Sequence, residues 1–421
     1  MFNRLGKFSL ILVFILTSVL LADDWPQYLG PYRNGTSDQT GLFRSWGENG
    51  PEVLWTVDVG KGFGGPVVKD GKVYLLDRED KAGDTMRCYD ISNGKELWNL
   101  AYNAPGRVAY PGSRSVPIVE GDHIYSCGHN GDLYCIDINA HQAVWHKNVW
   151  TDFGGGRVPT WAIPQCPLIY GDLLILASQA PEAGVVAYEK LTGNVKWKTP
   201  SLGPVGYVSP SMVKISGQDH VVMITAASRR SGGGKVVGID PLSGKILWDY
   251  TNYQCIIPVP SAYDAGEGRI LITGGYETGA AMLKVEKKAE DSYAVTELYK
   301  TVDFGGHTKP PILYNDHFYI QYSTNERRDG MVCMSIDGEI KWKTKRSPSF
   351  DKGGMILADG LILSTDGSTK LYLIEPDPSG FKSLATAELL ERGQNWAPLA
   401  LADGKLLIRD QGQLKCVKVA Q

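Results

Sequence analysis

The sequence predicts an all-β protein, a single eight-bladed β-propeller of four-stranded antiparallel blades closed by its own N-terminal strand. Three observations carry this. Tryptophan recurs at 55, 98, 145, 197, 248 and 342, with Tyr299 filling the one gap, at spacings of 43 to 52 residues. Such a fixed period marks a repeat architecture in which no unit can bury its apolar face alone. Each aromatic ends one phrase: YDISNGKELW at Trp98, YEKLTGNVKW at Trp197 and IDPLSGKILW at Trp248. The last unit breaks off after APLALADGKLLIRDQGQLKCVKVA, three strands in, and the missing strand with its tryptophan, VLWTVDV, lies upstream at Val53–Val59. Supplying it from the N-terminus closes the ring and removes the exposed sheet edges.

The elements follow in chain order. Arg4 and Lys7 precede Phe8–Ala22, 15 residues interrupted only by Ser9, Thr17 and Ser18 and ended by Asp23-Asp24. A basic start and a run short of the roughly 20 residues a membrane-spanning helix needs predict a signal peptide over 1–22. Retention of the segment as an anchor is the alternative. Residues 23–52 then form an extended lead-in, and 53–421 the propeller. Each unit opens with an apolar run, a polar turn and a second apolar run, as in GGPVVKDGKVYLL, QCPLIYGDLLILA and KPPILYNDHFYIQ. Short runs bounded by Gly, Asn and Asp read as hairpins. A third strand carries an acidic residue eight before the aromatic (Asp90, Asp137, Glu189, Asp240), and a fourth carries the aromatic itself. Units are expected to begin near Gly64, Ser115, Gln165, Ser209, Val259, Lys309, Lys352 and Trp396. The one helix-like stretch, Ser383–Arg392, falls where the seventh unit needs its outer strand and is read as strand.

Composition narrows the function. With 43 basic and 46 acidic residues, and no Lys/Arg stripe, the chain lacks the footprint of a nucleic-acid binder. Glycine, 49 of 421 residues, is roughly 12% against a typical 7%, which suits many turns. Of the seven cysteines, Cys88, Cys135, Cys333 and Cys416 share one repeat position where Ala187 and Gly238 also stand, so the position asks for a small buried side chain. Cys127 and Cys135 are the one pair that a single hairpin brings near each other. SRRSGGGKVV lacks the Ser/Thr of a phosphate loop and reads as a hairpin tip. No HxH or HExxH places the seven histidines around a metal, and His141 and His146 are expected to be solvated. The three FGG sequences at Phe63, Phe153 and Phe304 fall at different offsets of the repeat and read as coincidence.

The phrase D-x-x-x-G-K-x-x-W resembles the tryptophan-docking repeat of the quinoprotein-like (PQQ-like) eight-bladed propellers. The segment DWPQYLGPYRNGTS, Asp24–Ser37, resembles the W-x-x-[YF]-x-G lead-in of that superfamily. The resemblance implies that Trp55, Trp98, Trp145, Trp197, Trp248, Tyr299 and Trp342 dock blade on blade. Its members include PQQ-dependent alcohol dehydrogenases and non-catalytic propellers, among them the lipoprotein of the outer-membrane barrel-assembly machinery, so fold does not settle function. The dehydrogenases need Ca²⁺ ligands, a catalytic Asp and a vicinal Cys-Cys pair; this chain has no adjacent cysteines and no CxxCH haem motif.

What remains is geometric. The residues leading into the inner strands ring one mouth of a propeller channel, and here these are Phe63, Arg114, Gln165, Lys309, Asp351, Lys352, Asn395 and Trp396. This rim is the candidate ligand or partner site. The leading expectation is an exported, periplasmic or extracellular, monomeric propeller that binds a protein or peptide, with no cofactor and no catalytic residue. The alternative is a PQQ-dependent oxidoreductase, binding PQQ with Ca²⁺ through Arg114, Lys309 and Lys352. A carbohydrate-binding protein, on rim aromatics such as Trp396, is the third reading.

Overall fold

In the computed structural model, which describes residues 24–290 and 292–421, eight four-stranded antiparallel sheets are arranged as successive blades. The expected signal peptide lies outside the described residues. Among the described residues no helix is long and apolar enough to cross a membrane, and the sole helical element is a short 3-10 turn, Thr151–Phe153. Inner strands begin at Val67, Ile118, Leu168, Ser211, Tyr263, Ile312, Met355 and Ala400, two to four residues after the expected unit starts. Blade 1 displays the common plan: Val67–Lys69, Lys72–Glu79, Gly83–Asp90 and Glu96–Asn103, with Asp90 ending the third strand and Trp98 in the fourth. Ser383–Arg392 is strand over most of its length, within Lys382–Glu388. The closing strand, Val53–Asp58, pairs antiparallel with Gln413–Lys418 and completes blade 8.

The repeat phrase is a blade-to-blade joint. Asp240 Oδ1 accepts the N–H groups of Leu242 and Ser243, which folds the turn so that Gly244 reaches a left-handed φ of +73°. The ring of Trp197, from the preceding blade, lies flat on that turn and donates from Nε1 to Pro241 O at 3.0 Å. Trp55, Trp145 and Trp342 donate likewise to Ile91 O, Lys190 O and Asp377 O. Tyr299 lies against Gly338 of the next blade without a hydrogen bond from its hydroxyl. Two copies depart from the plan. Trp248 donates to His220 Nδ1 in its own blade, 3.2 Å away. Trp98 meets His141 where Trp55, Trp145, Trp197 and Tyr299 meet glycine; His141 takes the left-handed conformation at φ +56°, and its imidazole stacks on the indole at 4.9 Å. His141 is exposed, as expected of a solvated turn residue, and serves as a joint as well. His146, half exposed, stacks on Tyr134 and bonds Asp132.

Strand register explains the small-residue position. Cys88 stands opposite Trp98, Cys135 opposite Trp145, Ala187 opposite Trp197, Gly238 opposite Trp248, Cys333 opposite Trp342 and Cys416 opposite Trp55. An indole leaves its cross-strand neighbour little room. Where the aromatic is the smaller Tyr299, the neighbour is the larger Met282. All seven thiols are buried and free; Cys127 pairs with Leu133, so the register does not set it against Cys135.

The lead-in is more than an extension. Trp25 forms a two-bond bridge with Val68 of blade 1, and Pro26 O accepts from Val119 of blade 2. Arg33 donates to Cys166 O and Pro167 O of blade 3 and to Pro210 O of blade 4. Thr36–Ser37 then adds a fifth, parallel strand to blade 7, and Gln39 bonds Leu401 O and Gly404 N of blade 8. The segment thus crosses the ring from one side to the other as a bolt. Its W-x-x-Y-x-G signature has a spatial meaning: the Trp25 ring lies against Gly30, and Tyr28 between them turns into the channel.

Candidate functional site

The short inner strands bring their leading residues into the channel, where they line a cavity of about 390 Å³. Six of the eight expected rim residues are there: Phe63, Arg114, Lys309, Asp351, Lys352 and Trp396. Gln165 and Asn395 are not. Gln165 is 2% exposed and clamps blades together, donating to Val208 O and accepting from Ala177 N. Asn395, also 2% exposed, donates to Ser368 O in the turn between Leu361–Thr365 and Lys370–Glu375 and to Glu391 O of its own linker. The Gln165 amide matches a carbonyl and an N–H of neighbouring backbone, while Asn395 is held by two carbonyls through its NH₂ alone, its Oδ1 having no partner, and the wall takes both up. Of the three FGG phenylalanines only Phe63 lines the cavity; Phe153 and Phe304 are buried in the cores.

One wall is a linked aromatic and ionic cluster. Phe63 stacks on Trp396 with centroids 5.3 Å apart, and Tyr110 meets both rings, at 6.0 and 5.8 Å. Lys352 Nζ sits 4.4 Å from the Trp396 centroid, a cation–π contact. Asp351 binds this lysine through Oδ1 and accepts from Trp396 Nε1 through Oδ2 at 2.9 Å. Both carboxylate oxygens are therefore engaged.

The cations differ in what compensates them. Lys309 donates to Lys352 O at 2.8 Å and Trp396 O at 2.6 Å, tying the leading residues of three blades together. Burial of its ammonium lowers the pKa to about 7, against the opposing pull of Asp351. Arg114 lies over Phe63 at 5.5 Å and donates to Tyr110 O, while its Nε has no partner. Burial brings its guanidinium down to about 10 against the opposing charge of Asp80, and among the described residues no carboxylate lies within ion-pair distance of it. His307 donates from Nδ1 to Ser323 O and packs on Tyr276 at 4.7 Å; burial, then the charge of Lys352, hold it at about 4, so it is neutral at pH 7.

The far wall and the floor come from residues the rim argument did not reach. Trp161 meets Tyr207 edge-on at 5.2 Å, and both line the cavity with Tyr276, His307 and Arg328. Tyr110, Trp161 and Tyr207 come from the linkers ahead of blades 2, 3 and 4, each upstream of the proline that leads the next inner strand: Pro117, Pro167 and Pro210. An aromatic before that proline in three successive linkers was the available signal; the Trp period, which aligns outer strands, does not register it. Tyr28 belongs to the lead-in and floors the cavity, 8% exposed, with Arg33 at 5.8 Å from its ring. The channel is thereby a blind funnel.

Chemically, the funnel offers flat apolar surface and an excess of positive charge. Four basic side chains, Arg114, Lys309, Lys352 and Arg328, face it against Asp351 alone. A calcium-bound quinone needs several hard oxygen donors. The single carboxylate here is already shared between an ammonium and an indole, and no group of three or more His, Cys, Asp or Glu suited to a metal exists among the described residues. One face of Trp396 is covered by Phe63, and Lys309 is spent on backbone carbonyls. The donor set does not fit PQQ with Ca²⁺, and no quinone step is assigned to it.

The sequence matches the family described as outer membrane protein assembly factor BamB over residues 36–160 and 107–344. No curated protein matches it. Among solved structures it is similar to a europium-containing methanol dehydrogenase, 12% identical, over 93% of this chain and 90% of that one, with a TM-score of 0.66. It is also similar to the quinohemoprotein alcohol dehydrogenase of Comamonas testosteroni, at 12% identity, 94% and 81% coverage and a TM-score of 0.64. BamB from Moraxella catarrhalis is 13% identical, with 87% of this chain and 99% of that one covered and a TM-score of 0.58. At such identities the likeness is one of fold.

Proposed function

Because the chain belongs to the BamB family of PQQ-like propellers, we propose that it is an exported, monomeric, non-catalytic propeller that docks a protein or peptide at the mouth of its funnel. The observation that carries the reading is the blind, aromatic-walled funnel whose one carboxylate is already engaged. Such a site can hold a flat or acidic group by stacking and charge. It offers no pair of carboxylates, and Lys309, whose pKa burial lowers to about 7, is tied to two backbone carbonyls. Export rests on the basic, apolar leader at 1–22, and the mature N-terminus is expected at Asp23.

The test has two arms. Mature protein is supplied with PQQ, Ca²⁺, a dye acceptor and a panel of alcohols and sugars; no dye reduction is expected, and sustained turnover would refute the reading. The same protein is screened against arrayed extended peptides. Binding that Trp396→Ser weakens at least tenfold supports docking at the funnel; an array with no binder removes the proposal.

A further inference from the structure

Resting on that reading, we infer that the funnel captures the C-terminal carboxylate of an extended peptide, with an aromatic residue at or next to the terminus. Three features converge on a chain end of this sign. First, the funnel is floored. Tyr28 closes it from below and is held by a lead-in whose Arg33 is bonded to three carbonyls of blades 3 and 4. A strand can enter such a space but cannot run through it, so what reaches the bottom is a terminus or a side-chain tip.

Second, the charge selects a carboxylate over an amine. Arg114 enters the funnel wall with no ion pair among the described residues, and its buried Nε–H has no acceptor. The guanidinium carries a charge that no ion pair compensates, only the field of Asp80 opposing its burial, and a carboxylate in the funnel supplies the missing counter-charge. Lys352 and Arg328 add to the same potential, which repels an α-amino group. Phe63 lies under the Arg114 guanidinium and fixes its plane, so the donor edge is set before a ligand arrives.

Third, the walls are aromatic on both sides, Phe63 and Trp396 on one and Trp161 with Tyr207 on the other. Flat side chains stack between such surfaces with little loss of rotamer freedom. The volume of about 390 Å³ lies in the range of small-ligand pockets, so it suits the last residues of a chain rather than a folded domain.

The experiment uses the mature full chain and fluorescein-labelled hexapeptides ending in Phe or Trp, each as the free acid and as the C-terminal amide, followed by anisotropy. Free acids are expected to bind at least tenfold more tightly than their amides. Arg114→Gln should remove that difference by weakening the acid and sparing the amide. Should Arg114→Gln fail to fold, Lys352→Gln provides the second variant, expected to weaken the acid severalfold. Equal binding of acid and amide, with or without Arg114, overturns the inference while leaving peptide docking intact. Phenylpropionate binding as tightly as the peptides overturns it too, since the site would then be one for small acids. No binding by any peptide removes the docking reading itself.

Discussion

Replacing Gly244 by Ala tests the blade joint directly. A Cβ built there lies 2.6 Å from Trp197 Cε3, well inside contact distance, on a residue at φ +73°. The left-handed conformation alone costs an L-residue roughly 1–2 kcal/mol. Overpacking adds about 1–3 kcal/mol. Nor can the ring retreat freely, because Trp197 Nε1 is tied to Pro241 O at 3.0 Å; moving it gives up a hydrogen bond of about 1 kcal/mol. A loss of about 2–5 kcal/mol is expected, with hydrogen exchange accelerated first at the interface of blades 3 and 4. His141 is the built-in control, since it already carries a side chain at the same repeat position and its ring stacks on Trp98. His141→Gly should be within about 1 kcal/mol of neutral, the lost stacking of about 0.5–1.5 kcal/mol offset by relief of the left-handed strain. Urea unfolding followed by tryptophan fluorescence measures both. If Gly244→Ala costs less than His141→Gly, the joint does not work as described.

Three further outcomes follow from the same contacts. Arg78 and Asp84, both side chains fully buried and 2.9 Å apart, form an ion pair whose half-removal in Asp84→Asn should cost about 3–5 kcal/mol; a change under 1 kcal/mol in urea unfolding would contradict this. His129, 4% exposed, is held at about 4 by burial, with the charges of Arg78 and Arg114 lowering it further and Asp80 opposing. Its folded pKa lies below the unfolded value of about 6.5, so the unfolded chain takes the proton first. Stability should therefore be complete above pH 6.5 and fall by about 3 kcal/mol as pH drops towards 4. His129→Gln should flatten that slope in acid titration of unfolding, and an unchanged slope would assign the acid sensitivity elsewhere. Arg33→Ala removes the bonds to three carbonyls, so trypsin should cut the lead-in at Arg44 faster than in the parent protein, seen as early loss of the N-terminal fragment by mass spectrometry.

Much of the fold was legible because a repeat averages out local ambiguity. No single apolar run distinguishes strand from helix, yet eight runs in register do, and they placed even Ser383–Arg392 as strand. The small-residue position was legible too, though its cause, an indole directly across the ladder, appears only in the register. Phe63, Arg114, Lys309, Asp351, Lys352 and Trp396 were legible because these positions lead into inner strands at a constant offset. Gln165 and Asn395 hold the same offset but turn into the wall, Gln165 because a backbone carbonyl and an N–H both lie beside its amide and Asn395 because two backbone carbonyls take up its NH₂.

The sequence by itself determined the period, the blade plan, the ring count and the closure by Val53–Asp58, all properties of local patterning repeated along one dimension. Tertiary structure decided the far wall and the floor of the site. Tyr28 comes from the lead-in, and Tyr110, Trp161 and Tyr207 from linkers. Closing the ring brings them together with Trp396, and the tryptophan period, which aligns outer strands, does not record that they meet. It also turns residues 24–42 from an extended preface into the bolt that makes an open channel a blind funnel.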